Sequence, residues 1–246
     1  MGFKTTLKHT ESQLMPGFWF SPGFYAAYWD NHINKLFTTR QIIERVELKP
    51  HREVWVGSIF AAAQSLGGVQ HFVGLPAQEP PDVEVIKFTE TSTKKGTPGI
   101  QLSRIPLEVT RCNMATDETL IGQIRKKNKA AYTGYNLLVY EYGSTQTSNY
   151  ETIYQTLKQE EEIFFDSIIS VAKVDHTSSG IALAEGTFVV SSLYPRKGQT
   201  SLNISNSEAF FRYPEVVRPI GRATGTEWKN LGSFGLLAPK LKTTKH

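Results

Sequence analysis

The segment "DVEVIKFTETSTKKGTPGIQLSRIPLEVTRC", residues 82–112, decides how this chain folds. Its first part, 82–88, alternates apolar residues in the manner of a short strand. The polar stretch 89–99 comes next, with Gly96, Pro98 and Gly99 near its end, and reads as a hairpin turn. The return strand, 100–112, places Ile105, Leu107 and Val109 on alternate positions. Glu108 stands at the centre of that apolar run. A buried carboxylate costs on the order of several kcal/mol unless something pairs with it, so the chain has to supply a partner.

The hairpin supplies one candidate at once. If 82–88 pairs with roughly 101–107, or a residue or two beyond, Asp82 arrives beside Glu108 at the same end of the ladder. Strand faces alternate with period two, so this register also decides whether the two acids share a face. Two carboxylates brought together at low dielectric repel. A divalent cation removes both difficulties, and hard Mg²⁺ favours one or two carboxylates completed by waters and phosphate oxygens. The economical expectation is a metal site acting on phosphodiesters, with Asp82 and Glu108 as metal ligands.

Downstream, "MATDETLIGQIRKKNKAAY" reads as a helix with Thr116 as N-cap and Asp117 and Glu118 in its first turn. Leu120, Ile124 and Ala131 make its apolar stripe, and Lys127 interrupts it. Such a lysine either snorkels to solvent or reaches the carboxylates, and Gln123, one turn earlier, is expected to point to the same place. "NLLVYEYG", 136–143, is a strand of the fully buried kind. A helix over "NYETIYQTLKQEEEIF" and strands over 164–174 and 180–195 complete this half of the chain.

Upstream, 31–48 reads as a helix with Ile33, Leu36, Ile42, Ile43 and Val46 on its apolar positions. Residues 52–68 read as a second helix ended by Gly67-Gly68. "HFVGLPAQEPP" reads as a loop. The aromatics of "MPGFWFSPGFYAAYWD", 15–30, are expected to pack on the core or on a second subunit rather than to stack bases. After 195 the chain reads as irregular, with a strand at "EAFFRYP". His51 and His71 are expected at the surface, because no zinc partners stand at short spacing. An antiparallel pair and then a helical crossover into further strands give an α/β fold, a mixed central β-sheet flanked by helices.

Composition bounds the rest. The chain has 246 residues, 39% of them hydrophobic, enough for a sizeable core in one domain. The single cysteine, Cys112, excludes an intrachain disulfide and a thiolate zinc site. It reads as a small core residue. No apolar run reaches the ~18 residues that span a bilayer, and the N-terminus lacks the apolar segment of a signal peptide. The expected setting is cytoplasmic, without a membrane. Net charge is +4, yet the segment from Arg196 carries nine Lys/Arg against three acids, leaving the remainder net −2. A basic tail of this kind suits contact with phosphates.

Taken together, "PPDVEVIKF", "IPLEVTRC", "IGQIRKKNKAAY" and "NLLVYEY" resemble the PD-(D/E)xK nuclease superfamily over about residues 50–175. The flanking 1–49 and 176–246 are then extensions of one domain. The resemblance implies a restriction endonuclease-like core and Mg²⁺-dependent hydrolysis of DNA, with Mn²⁺ as a substitute. It makes Pro81-Asp82 the PD element, Glu108 the second acid, and Glu53, on the preceding helix, a further metal ligand. The motif lysine, two residues after the acid, is replaced by Thr110, which can hold a water but carries no charge. Lys127 is the expected replacement, with Lys126 next. A type II restriction or defence enzyme is the expected class, acting as a homodimer to cut both strands, with the aromatic segment 15–30 as its interface. A non-catalytic nucleic-acid-binding protein on the same scaffold, or an unrelated α/β hydrolase with structural acids, are the alternatives.

Overall fold

The computed structural model describes residues 18–76, 80–92, 98–143, 148–174, 186–204, 216–220 and 227–230. In chain order these form β1 (Trp19–Phe20), α1 (Pro22–Trp29), α2 (Thr39–Glu44), α3 (Lys49–Ser65), β2 (His71–Gly74), β3 (Val83–Ser92) and β4 (Pro98–Asn113). Then come α4 (Leu120–Lys127), β5 (Asn136–Tyr142), α5 (Tyr150–Lys158), β6 (Ser167–Lys173), β7 (Thr187–Tyr194), β8 (Gly198–Asn203), β9 (Val216–Ile220) and β10 (Glu227–Asn230).

The strands build one mixed sheet in the order β10-β9-β1-β2-β3-β4-β5-β6-β7-β8. The β4–β5 and β5–β6 neighbours are parallel and the other pairs antiparallel. A parallel pair needs a crossover, and α4 and α5 provide the two. Both helices cover the same face, where Leu120, Ile124 and Leu157 pack with Cys112, Leu137, Val139 and Ile168. On the opposite face α3 touches β2 and β3 at one end and β6 to β8 at the other, so the sheet curls around it. Helix α1 closes over α3, with Trp29 and Trp55 stacked at 5.5 Å between ring centroids. Covered on both sides, α3 is buried all round from Glu53 to Ala63 rather than along one stripe. β5, flanked by parallel strands and layered on both faces, is apolar along most of its length for the same reason.

Several expectations change. Residues 71–74 are not a loop but a buried strand lying between β1 and β3. The stretch 31–48 is not one helix. Thr38 accepts a hydrogen bond from the Gln41 N–H while its own N–H donates to Gln41 Oε1, a capping box that begins α2 afresh. Leu36 and Val46 are consequently exposed. α4 is capped by Thr119, not Thr116. The Thr116 hydroxyl instead donates to the Asn113 carbonyl, and the Asn113 N–H donates to Glu118, which holds 114–117 as a turn. His51 and His71 are buried, 2% and 5% exposed, rather than at the surface. The described aromatics of 15–30 are core residues: Phe18, Trp19, Phe20, Phe24, Tyr25, Tyr28 and Trp29 are all buried and present neither a base-stacking surface nor a subunit interface. The expected strand at "EAFFRYP" lies outside the described residues, as does most of the basic tail. Among the described residues no helix is long and apolar enough to cross a membrane.

α3 sits against the sheet through Gly57, where a Cβ would stand 2.9 Å from both the Val73 and Val83 side chains. Gly57→Val is expected to destabilise the protein by about 1–3 kcal/mol through overpacking, measured as a lowered urea midpoint at unchanged slope. An unchanged midpoint would mean that the helix has room to move away from the sheet.

Candidate functional site

The hairpin register is the one that brings the two acids together. Val83 pairs with Leu107 and Val85 with Ile105, so Asp82 falls opposite Glu108 one step beyond the ladder. Partners across a ladder share a face, and Glu108 lies on the α4 side with Cys112. Asp82 is tied into this position by the backbone of the facing strand: its Oδ2 accepts the Val109 N–H at 3.0 Å. β4 runs on past the start of β3, which leaves that N–H without a strand partner. The carboxylate takes the place of the missing strand.

Lys127 reaches the pair. Its ammonium donates to Glu108 Oε1 at 2.5 Å, a charge-assisted bond between a half-buried lysine and a glutamate whose side chain is 6% exposed. Burial alone would lower the lysine pKa. The bond to Glu108, the charge of Glu108 and the more distant charge of Asp82 outweigh it and hold the ammonium above its ordinary value. Lys127 is therefore a fixed cation at neutral pH. Its ammonium also stands 5.8 Å from the centre of the Tyr132 ring. The phenol of Tyr132 is raised in pKa by burial and by the Glu108 charge, so it stays protonated.

Glu53 projects from α3 on the other side of Asp82. One ammonium serves both acids: Lys49 lies 3.2 Å from Glu53 Oε1 and 3.2 Å from Asp82 Oδ1. Burial, then the Asp82 charge, pushes the Glu53 carboxyl up to about 7 against the pull of Lys49. Lys49 itself is held above the ordinary lysine value, because the two carboxylates outweigh its own desolvation. Asp82 thus joins two lysine–carboxylate pairs, Glu53–Lys49 on one side and Glu108–Lys127 on the other.

The other expected participants are less engaged. Thr110 is half-buried on β4, and its side chain bonds to neither acid. Gln123 is half-buried one turn before Lys127 and hydrogen-bonds none of the site residues. Lys126 is exposed. Lys49 and Tyr132 are additional members of the site. Lys49 lay outside the helix expected from residue 52, and its place four residues before Glu53 on one helix face follows from α3 beginning at Lys49, whereas Tyr132 comes after the end of α4 in a short 3₁₀ turn with no spacing rule to mark it.

The donor set suits a hard divalent ion. Asp82 and Glu108 are oxygen-only donors at the border of the core: Asp82 accepts from the Val109 N–H and Lys49, and Glu108 from Lys127 and the Tyr132 hydroxyl. Water and phosphate oxygens would complete the coordination. Among the described residues no three His, Cys, Asp or Glu side chains converge on one point that would hold a metal ion. The set is therefore two carboxylates. Glu53 is linked to Asp82 through Lys49 and not gathered with Glu108. A different buried acid shows the contrast: Glu141, 2% exposed, accepts from the hydroxyls of Ser148, Tyr150 and Ser170 and needs no cation.

Glu53 makes the site sensitive to pH. Its folded pKa is raised above the unfolded value, so its contribution to stability is full below about pH 4.5 and is lost as pH rises through about 7. Buried His51, held down to about 3 by burial and then by the Arg52 charge, acts oppositely below its ordinary 6.5. The difference between wild type and Glu53→Gln isolates the first effect. The variant is expected to gain relative stability between pH 5 and 8, by on the order of 3 kcal/mol at most, in paired chemical melts. A difference that does not vary with pH would place the Glu53 proton elsewhere.

Comparison with protein-family models, with curated proteins and with solved structures gives no match to this chain.

Proposed function

We propose that the protein is a Mg²⁺-dependent nuclease that hydrolyses DNA phosphodiester bonds on a restriction endonuclease-like core, the PD-(D/E)xK arrangement with its lysine moved to the neighbouring helix. The observation that carries this reading is the Lys127 ammonium on Glu108, with Asp82 directly across the ladder. An antiparallel β3–β4 pair, the α4 crossover and the parallel β5 in sequence support it as well.

In this reading Asp82 and Glu108 hold the ion, and Mn²⁺ replaces Mg²⁺. The ion supplies charge neutralisation of the phosphate and a lowered pKa for the attacking water. The chain's own groups do the rest. Lys127 cannot act as a base at neutral pH, because its partners hold it protonated. It orients the water by hydrogen bonding and offsets the negative charge that develops on the phosphoryl oxygens. Glu108 keeps the ammonium in place, and Tyr132 remains a neutral donor beside it. Lys49 screens Asp82 from Glu53, which reduces the repulsion between them at the mouth of the site.

One observation favours a second reading. Each acid already contacts a lysine, Lys49 being shared by Glu53 and Asp82, so the site is largely neutralised without a metal ion, which suits a non-catalytic nucleic-acid-binding protein. Supercoiled plasmid and linear DNA incubated with the protein in Mg²⁺, in Mn²⁺ and in EDTA separate the two. Cutting in either metal and none in EDTA supports the nuclease. Binding without cutting in both metals supports the alternative and overturns the proposal.

A further inference from the structure

Across β4 from Glu108, the open strand edge and the first turns of α3 enclose a pocket of about 180 Å³ with Lys49, Arg52, Glu53, Val109, Arg111 and Tyr140 in its lining. Three cations face a single carboxylate there, and Lys49 is already committed to Glu53 and Asp82. Neither arginine is bonded to an acid among the described residues. Arg52 uses Nη1 alone, donating to the carbonyls of Ile42 and Arg45. Arg111 likewise uses Nη1 alone, donating to the Ile43 carbonyl at 2.7 Å. All three carbonyls belong to the C-terminal end of α2, so each guanidinium is anchored by one corner. The Nε–Nη2 edge of each bonds to nothing among the described residues. That edge is the fork that matches a carboxylate or phosphate with two parallel hydrogen bonds.

Holding two guanidinium groups and Lys49 in one pocket against the single carboxylate of Glu53 is unfavourable. Burial and the neighbouring Arg111 charge lower the Arg52 pKa to about 10. An oxyanion between the two forks removes that repulsion and satisfies the free donors. The pocket shares Val109 and Lys49 with the acid site: the Val109 N–H and the Lys49 ammonium both bond to Asp82. An anion held by the arginines therefore lies close to Asp82, across the strand edge from Glu108.

We propose that this pocket is a phosphate subsite, formed by Arg52 and Arg111, that holds a phosphate of the DNA strand next to the one addressed at Asp82 and Glu108. The assignment to DNA rests on the nuclease reading above. A free phosphate would meet the same chemistry, and the test separates the two sources.

The test is equilibrium binding of a short fluorescent DNA duplex to the full chain in EDTA across a salt series, with Arg111→Gln as the main variant. Arg111 is exposed and anchored by one bond, so its loss leaves the core untouched. Arg52→Gln is the second variant, with its melting temperature recorded, and exposed Lys158→Gln, at the C-terminal end of α5, is the control. Arg111→Gln is expected to weaken binding by about tenfold and to reduce the slope of log K against log salt by about one unit, while the control stays at wild type. Arg111→Lys is expected to keep the salt slope but not the full affinity, since it retains charge and loses the fork.

Wild-type affinity and slope in both arginine variants would overturn the subsite. If inorganic phosphate raises the melting temperature in an Arg111-dependent way while DNA binding is unaffected, the ligand is free phosphate and the DNA assignment falls. Failure of the nuclease reading looks different: arginine-dependent DNA binding with no cutting in Mg²⁺ or Mn²⁺ retains the subsite and removes the chemistry. Cutting with arginine-independent binding does the reverse.

Discussion

Asp82→Asn and Glu108→Gln are each expected to lower Mg²⁺-dependent cutting of plasmid DNA by about three orders of magnitude, the scale of loss when a group acting on transition-state charge is removed. Both substitutions keep shape and remove charge. In Asp82→Asn the amide oxygen can still accept the Val109 N–H, so the open edge of β4 stays capped and the fold is expected to survive. In Glu108→Gln the amide oxygen can still accept from Lys127. Melting temperatures within a few degrees of wild type would show that the lost cutting is chemical and not structural. DNA binding in EDTA gives a second readout. Each variant removes a negative charge beside the phosphate path, so binding is expected to hold or tighten. A variant that cuts near the wild-type rate takes its carboxylate out of the mechanism, and weakened binding in EDTA would mean that the acid supports the shape of the site rather than a cation.

Lys127→Met is expected to produce two losses with separate signatures. Cutting falls by about 10²–10³-fold, because the fixed cation beside the acids is gone. Stability falls by about 1–3 kcal/mol, because the Glu108 carboxylate, 5% exposed, is left buried without its donor; part of the lysine is exposed, which places the expectation toward the low end. The stability deficit is removed in the Lys127→Met/Glu108→Gln double variant, where the buried carboxylate is replaced by a neutral amide. A double-mutant cycle of chemical melts therefore reads a coupling of the pair, while cutting stays lost. In the wild type, Lys127 has a raised folded pKa, so its contribution is present at neutral pH and is lost only above the ordinary lysine range. Near wild-type cutting by Lys127→Met would remove the migrated lysine from the proposal. Full activity from Lys126 is not expected, since that residue is exposed to solvent.

The hairpin, α4 and β5 were readable because local rules dominate there. Period-two alternation through 83–88 and 105–109, with Gly and Pro between, restricts the pairing to registers that keep both apolar sets on the core face. A slip of one residue would have turned Val83, Val85, Leu107 and Val109 to the wrong side. That constraint brought Asp82 near Glu108, and the observed register sets them opposite one another. The apolar run of β5 announced a strand covered on both faces. Helical spacing put Lys127 on the stripe of Leu120 and Ile124, and the structure has it turned inward to Glu108.

Short-range rules failed where distant chain took over. His71–Gly74 lacks the length and alternation of an independent strand, and it becomes one because β1 and β3 stand on either side of it. Residues 31–48 carry apolar spacing for one helix, but the Thr38 capping box and buried Phe37 break it. His51 has no local signal for burial. It is enclosed because α1 folds down over α3, where Tyr25 donates to the His51 carbonyl at 3.0 Å.

By itself the sequence determined the mixed sheet around β3, β4 and β5, the nearness of residues 82 and 108, and the intrusion of Lys127 on the apolar stripe, because each comes from a periodicity read along a few adjacent elements. Only the tertiary structure decided that Lys49 bridges Glu53 and Asp82, and that Arg52 and Arg111 share a pocket with their forks free. Those groups come from elements far apart in the chain, and their meeting depends on how the sheet curls around α3, which no local spacing encodes.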